Sequence, residues 1–225
     1  MTINIAIDGP VASGKSTIAK RLAEILNYVH IDTGAMYRAV AVKAVQSHID
    51  LTDEAALVNM LEMTQFAFTP EGELVVDGRT VGAEIRTQEA SIGASRVSQH
   101  PQVRARLVAI QQAITQSKGF ILDGRDIGTV VLPNAELKIF QIADVVERAK
   151  RRAAEYQAKG LNVEFKDVLT DLTERDANDM NRRHSPLMKA EDAVIVDTSH
   201  LSIDEAVALI LPMVRERIRR MESHD

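Results

Sequence analysis

Cysteine is absent from the chain, which excludes disulfides and thiolate metal sites and suits a reducing compartment. Long apolar runs are missing too: no stretch approaches about 18 uninterrupted apolar residues, and the opening MTINIAIDGP has no basic segment leading into one. Neither a membrane partner nor export is therefore expected, and the cytoplasm is the expected location. Nor is there a basic excess. The net charge of −5 argues against a nucleic-acid polymer as partner, because such binders carry a basic footprint that displaces phosphate counterions. The DxxG and NKxD elements of guanine-nucleotide switches occur nowhere, which counts against a GTPase. His30, His48, His100 and His184 are dispersed, without HxxxH spacing or an accompanying carboxylate pattern, so no metal site is expected at them and no chemistry is assigned to them.

What the chain does have is material for one full core. Its 225 residues suffice for a single α/β domain with a small embellishment, since domains run to about 100 to 200 residues. Hydrophobic residues at 45% and charged residues at 26% exclude wholesale disorder. The 27 basic residues divide into 18 Arg and 9 Lys, an excess of the side chain whose planar fork grips phosphate bidentately, which points to small phosphorylated ligands. Arg215, Arg217, Arg219 and Arg220 read instead as a solvated helix face. Short apolar runs at 3–7, 28–31, 120–122, 137–140 and 193–196 predict buried parallel strands. Amphipathic segments such as 15–26, 102–116, 145–157 and 203–218 alternate with them, so the units are βαβ and the sheet is expected to be doubly wound. Ligands in such sheets sit at the carboxyl ends of the strands, where Asp8, Asp32, Asp123 and Asp197 fall. One stretch breaks the pattern. Short strand candidates at 65–69, 74–77 and 79–81 are separated by Pro70-Glu71-Gly72 and by the hairpin signal Asp77-Gly78, which predicts a small antiparallel insertion at roughly 63–90. Met36, Met60 and Met63 are expected to fill core space.

The segment Gly9, Pro10, Val11, Ala12, Ser13, Gly14, Lys15, Ser16, Thr17 contains GxxxxGK[ST], directly after an apolar strand and directly before a helix. That context identifies a phosphate-binding P-loop. Its glycines let backbone N–H groups curl toward phosphate, and the helix that follows adds its positive end. Lys15 is expected near the β- and γ-phosphates of ATP, and the Ser16 hydroxyl is placed to ligate Mg²⁺. A P-loop alone does not separate a kinase from a motor or a switch. The compact length and scattered arginines favour a small-molecule kinase.

Four further segments, IDTGAMYR at 31–38, EIRTQE at 84–89, LDGRDIGT at 122–129 and RDANDMNR at 175–182, together with the loop, resemble bacterial cytidylate kinase over nearly the whole chain. The resemblance implies an α/β P-loop NTPase fold with a five-stranded parallel sheet flanked by helices, a small antiparallel β insertion and a helical lid. It implies one kinase domain over 1–225, with its core at 1–62 and 98–225, a lid at roughly 148–170 and a CMP-binding insertion at 63–97. The implied reaction moves the γ-phosphoryl group of ATP to CMP, and to dCMP, with Mg²⁺ as cofactor; the alternatives are another nucleoside monophosphate kinase, for UMP or dTMP, and a nonenzymatic ATP-binding switch. The expected partners are these nucleotides alone, and the expected state is a monomer.

Residue roles follow from the same matching. Asp32 or Thr33 can cap the helix that begins there, which sets Arg38 one turn inside, facing the strand-end crevice. The resemblance makes Arg38 a ligand of the CMP phosphate and brings Asp32 and Thr33 to the same site. Asp123 could steer Mg²⁺-bound water, as strand-end aspartates of P-loop enzymes do. Arg125 is implied on the CMP phosphate and Asp126 on the base. Cytosine offers an N4 amine to Asp126, and its N3 and O2 acceptors to Arg104 and Ser95, with Pro101 starting the helix that carries Arg104. Arg148, Arg151 and Arg152 are spaced i, i+3, i+4, and Arg175, Asp179 and Arg182 i, i+4, i+7. On spacing alone each set is equally a solvated face with pairs such as Arg175 with Asp179. The resemblance assigns the first set to a lid closing on the ATP phosphates, with Arg148 and Arg152 catalytic beside Lys15 and Arg125. It assigns Arg175 and Asp179 to the ribose and Arg182 to phosphate.

Overall fold

The computed structural model describes residues 1–158 and 160–223. The first strand, β1 (Ile5–Asp8), is buried along its whole length because it lies in the middle of a sheet covered on both faces. It leads through the loop into α1 (Lys15–Leu26), which ends at Asn27 in the left-handed conformation, φ 55°, a common helix stop. Next come β2 (Val29–Asp32) and α2 (Thr33–Gln46), whose first turn is capped by the Asp32 side chain accepting from the Ala35 N–H at 3.0 Å. The helix α3 (Glu54–Glu62) precedes a hairpin region of β3 (Phe66–Phe68), β4 (Leu74–Val76) and β5 (Arg79–Thr80). A 3₁₀ turn leads to α4 (Gln88–Val97), followed by α5 (Pro101–Ile114) with Pro101 in its first turn. The chain then returns to the sheet as β6 (Phe120–Gly124), passes a π-helical turn, and adds β7 (Leu137–Ile142). Two long helices, α6 (Val145–Ala158) and α7 (Phe165–Asn181), precede β8 (Val194–Asp197) and α8 (Ile203–Glu222).

The main sheet has the order β2-β6-β1-β7-β8 and every pairing in it is parallel. The insertion is a separate antiparallel sheet, β3-β4-β5. Its last hairpin pairs Val76 with Arg79 across Asp77 (φ 50°) and Gly78 (φ 78°), so both turn residues are left-handed, as the Asp-Gly pair predicts. All five expected core strands are present. Each ends one or two residues later than its apolar run, because the parallel ladder continues into the polar ends, pairing Asp8 with Gly124 and Asp32 with Asp123. The insertion strands are one or two residues shorter than expected, although backbone hydrogen bonds continue just beyond them, from the Asp77 N–H to the Gln65 carbonyl at 3.0 Å and from the Val81 N–H to the Leu74 carbonyl at 2.9 Å.

Period-two alternation splits the core. Ile5 and Ile7 face one side, where Ile18 and Leu22 of α1 and Val207, Ile210 and Val214 of α8 cover them. Ala6, Ile31 and Leu122 face the other, against Ile127 and Val131. A further cluster joins Met36 and Val40 of α2, Leu57 and Leu61 of α3 and Leu107 of α5 to Leu74 and Ile85 of the insertion region. Met36 and Met60 fill core space as expected, but Met63 is 85% exposed. It caps the end of α3 rather than continuing its buried face.

Candidate active site

The strand ends converge as the alternation requires, and the phosphate loop is held from below by backbone. The Gly9 N–H donates to the Gly124 carbonyl at 3.3 Å, and a Cβ at Gly9 would lie 2.4 Å from the Gln141 carbonyl oxygen. No other residue fits there without displacing β7. Ala12 (φ 56°) and Gly14 (φ 87°) curl the loop left-handed before α1. Ser13 is buried and its hydroxyl has no hydrogen-bond partner among the described residues. The Lys15 ammonium donates to the Pro10 carbonyl at 3.0 Å. Burial, with the charge of Arg125 adding to it, lowers the Lys15 pKa to about 7. Thr17 is on the exposed side of α1.

Ser16 donates to Asp123 Oδ2 at 2.7 Å, and His30 Nε2 lies 2.6 Å from Asp123 Oδ1. Burial pushes the Asp123 carboxyl up, yet the hydrogen bond and charge of His30, followed by Lys15 and Ser16, hold it below the ordinary carboxylate value. Burial likewise opposes a proton on His30, but Asp123 outweighs it and the pKa of His30 is raised. The hydroxyl and carboxylate pair Ser16–Asp123 is a hard oxygen donor set with few protein ligands. That chemistry fits Mg²⁺, which retains waters and shares its shell with substrate phosphates. No cluster of three or more His, Cys, Asp or Glu able to cage a metal occurs among the described residues.

The same β6 end organises a second group of charges. Asp8 is buried and accepts from the N–H groups of Ile127 and Gly128, each at 2.7 Å, which fixes the turn carrying Arg125 and Asp126. Burial raises its pKa to about 6 in spite of those bonds. Thr33 donates its hydroxyl to the Asp123 carbonyl at 2.8 Å, and Arg38 donates to Asp32 at 2.7 Å. Asp126 pairs with Arg104 and stands 3.7 Å from Arg182. Arg182 is 3.8 Å from Asp179, which takes a hydrogen bond from Arg125 Nε at 2.6 Å. The result is an alternating chain, Arg104, Asp126, Arg182, Asp179, Arg125. Tyr37 lies under Arg104, 5.4 Å from guanidinium carbon to ring centre, and burial pushes its hydroxyl up to about 12.

The lid range divides. Arg148 is buried, donating to the carbonyls of Ala143 (2.9 Å) and Val11 (3.0 Å) and pairing with Asp176 at 2.6 Å. Asp176 in turn accepts from the Val11 N–H at 3.3 Å. Arg151 clasps the carbonyls of Thr198 (2.6 Å), Ser199 (2.9 Å) and Ser13 (3.5 Å). These two arginines brace the loop crest through backbone oxygens. Arg152 differs: it bonds Glu155 at 3.0 Å, stacks on Tyr156, and faces a cleft of 320 Å³ shared with Ser95, Arg175 and Asp171. Lys159, inside the expected lid range, lies outside the described residues.

Of the expected residues, then, β6 brings together Ser16, Asp123, Arg125 and Asp126, while Ser95 and Arg175 line the cleft and Arg104 is paired apart from it. The Arg175 to Asp179 pair that a merely solvated helix face would make does not form. Arg175 stands 3.9 Å from Asp171 one turn earlier, because Asp179 is taken by Arg125 and Arg182. Arg182 does not share the helix face, since α7 ends at Asn181 and Arg182 has extended backbone. Sequence reasoning missed His30 and Gln141, and set Asp8 at a strand end without giving it a role. Gln141 is wholly buried on β7 and donates to the Ser13 carbonyl at 2.6 Å. A polar residue within an apolar run, as His30 is within 28–31, or between such a run and a further apolar residue, as Gln141 is between Phe140 and Ile142, was the available signal.

A cytidylate kinase family model matches residues 5–216. The chain belongs to the cytidylate kinase family. Relatives agree over nearly their full lengths. A cytidylate kinase from Bacillus velezensis is 49% identical over 220 residues, covering 96% of this chain and 98% of the relative. One from Caldicellulosiruptor bescii is 50% identical over 214 residues, covering 94% and 95%. One from Bacillus subtilis is 47% identical over 220 residues, covering 96% and 98%. Among solved structures, an uncharacterized protein from Eubacterium ventriosum aligns with a TM-score of 0.57 at 16% identity over 96% of this chain and 99% of its own. A gluconokinase from Sinorhizobium meliloti aligns at 0.52 and 14% identity over 100% and 98%. These two likenesses concern the fold of this family and nothing finer.

Proposed function

We propose that this chain transfers the γ-phosphoryl group of ATP to CMP, and to dCMP, giving the diphosphate and ADP. Membership of the cytidylate kinase family carries the activity. The observation that supports the residue roles is the end of β6, where Asp123 turns to the phosphate loop and Arg125 and Asp126, two and three residues on, turn to the opposite cluster. One short turn thereby serves donor and acceptor. A monomer is proposed as the working unit. No helix among the described residues is long and apolar enough to cross a membrane.

ATP would lie with its phosphates on the residues from Gly9 to Thr17, against Lys15. Ser16, and Asp123 through water, would hold Mg²⁺. That ion supplies charge neutralisation at the phosphate oxygens when bound. The CMP phosphate would meet Arg38, Arg125 and Arg182, its base Asp126, Arg104 and Ser95, and its ribose Arg175 and Asp179, with Asp32 and Thr33 shaping the same pocket. Residues 63–97 form the insertion that we assign to CMP. The acceptor needs no general base, because a phosphate monoester with a second pKa of about 6 is already anionic at neutral pH. The task left to the protein is to bring two polyanions together, which Lys15 and the arginines do by charge. Arg152, on the cleft wall, is the lid arginine assigned to the phosphates, which it would reach by leaving Glu155 and Tyr156, whereas Arg148 shapes the loop from behind.

The test is kcat/KM for CMP, UMP and AMP with the purified protein. Uracil puts an oxygen against Asp126 where cytosine puts an amine, so a preference for CMP of about 100-fold or more is expected. Equal values for CMP and UMP would overturn the base assignment. Binding of ATP without any CDP formed would favour a nonenzymatic ATP switch instead.

A further inference from the structure

The Asp123 carboxylate is gripped at both oxygens, and only one grip belongs to the phosphate loop segment. Ser16 holds Oδ2 from the first turn of α1, whereas His30 holds Oδ1 from β2. His30 pairs in register with Ile121, so its side chain stands on the face that Asp123 occupies two residues further along β6. Its backbone is also backed by the insertion: the turn glycine Gly72, φ 82°, packs so closely that a Cβ there would lie 2.6 Å from the His30 carbonyl oxygen. The ring is therefore anchored in the sheet and its Nε2–H donates to the carboxylate whatever the loop does. Outer partners of this kind orient a ligating group and set how well it serves a cation. We propose that His30 is a positioning residue for nucleotide-bound Mg²⁺, aiming the Asp123 carboxylate at the metal's water shell. The inference rests on the reading of Ser16 and Asp123 as the Mg²⁺ pair in an ATP:CMP phosphotransferase.

Calorimetry of ATP binding, once with Mg²⁺ and once with EDTA, tests it in the full-length protein. His30→Phe keeps a ring and removes the donor, while His30→Gln keeps an N–H donor. In His30→Phe the Kd for Mg·ATP should rise about 10-fold or more while the Kd for metal-free ATP stays at the wild-type value. The Mg²⁺ concentration that half-saturates turnover should rise in parallel, and His30→Gln should recover most of both losses. Unchanged affinities in His30→Phe, an equal loss with and without Mg²⁺, or a Gln variant as poor as the Phe variant would each overturn the proposal. Should His30→Phe fail to fold, ring ¹⁵N shifts of His30 in the wild-type protein decide: they should move when Mg²⁺ is added to the ATP complex, and no movement overturns the role. Wild-type protein that forms no CDP in a Mg²⁺-dependent way would defeat the functional reading itself, an outcome separable from any behaviour of the variants.

Discussion

At the scale of single residues, Lys15 carries the sharpest consequence. With a pKa lowered to about 7 by burial and by Arg125, it is mostly neutral at pH 8 in the free protein. The phosphates of ATP favour its charged form, so binding at pH 8 should take up close to one proton, an uptake by Lys15 that shrinks as the pH falls below about 7. Calorimetric enthalpies measured at pH 8 in buffers of different ionisation enthalpy will differ if this is right. Identical enthalpies in all buffers would refute it. Lys15→Ala should bind ATP without the buffer dependence and lower kcat by about 100-fold or more, the scale seen when one preorganised charge donor is removed, while remaining folded by circular dichroism.

The element scale is where a helix-face pattern and its use part company. The spacing of Arg148, Arg151 and Arg152 places them together on α6, but spacing does not say what the face meets. It meets loop carbonyls at Arg148 and Arg151 and an open cleft at Arg152. Arg148→Ala removes one half of a buried ion pair and strands Asp176, an expected loss of about 3 to 5 kcal/mol in urea unfolding. ATP affinity should fall with it because Val11 loses a tie. A loss under about 1 kcal/mol would show that the brace is not structural. The strands and the phosphate loop were legible because apolar runs, Gly and Asp report directly on parallel ladders and tight turns. The Asp77-Gly78 hairpin was legible for the same reason. The Arg104 to Asp126 pair, the capture of Asp179 by Arg125 and the roles of His30 and Asp8 were not, since each joins residues from elements distant in the chain. Local spacing offered Arg175 as a partner for Asp179, its i, i+4 neighbour, when Arg125, directly after β6, had the stronger claim.

For the whole molecule, the buried carboxylate of Asp8 links pH to folding. Its pKa rises from an ordinary 3.8 to about 6, so between those values the folded chain binds a proton that the unfolded chain has lost. The Asp8 contribution to stability therefore falls as pH rises from about 4 to 6 and is level above, a decline of about 3 kcal/mol. Asp8→Asn should flatten that stretch of the curve in urea titrations; an unchanged slope would assign it to other groups. The chain of alternating charges that runs from Arg104 to Arg125 has a different consequence. Each acceptor arginine comes with its own resident anion, and a tethered carboxylate behaves like a competing ligand at a high, fixed local concentration. Dissolved chloride adds little to a competition already under way inside the protein. The KM for CMP should accordingly change less than about threefold between 50 and 300 mM NaCl, where bare surface arginines would lose their phosphate ligand far more steeply. The enzyme would thus carry its own constant ionic strength, and its grip on CMP would be set by Asp126 and Asp179 rather than by the surrounding solution.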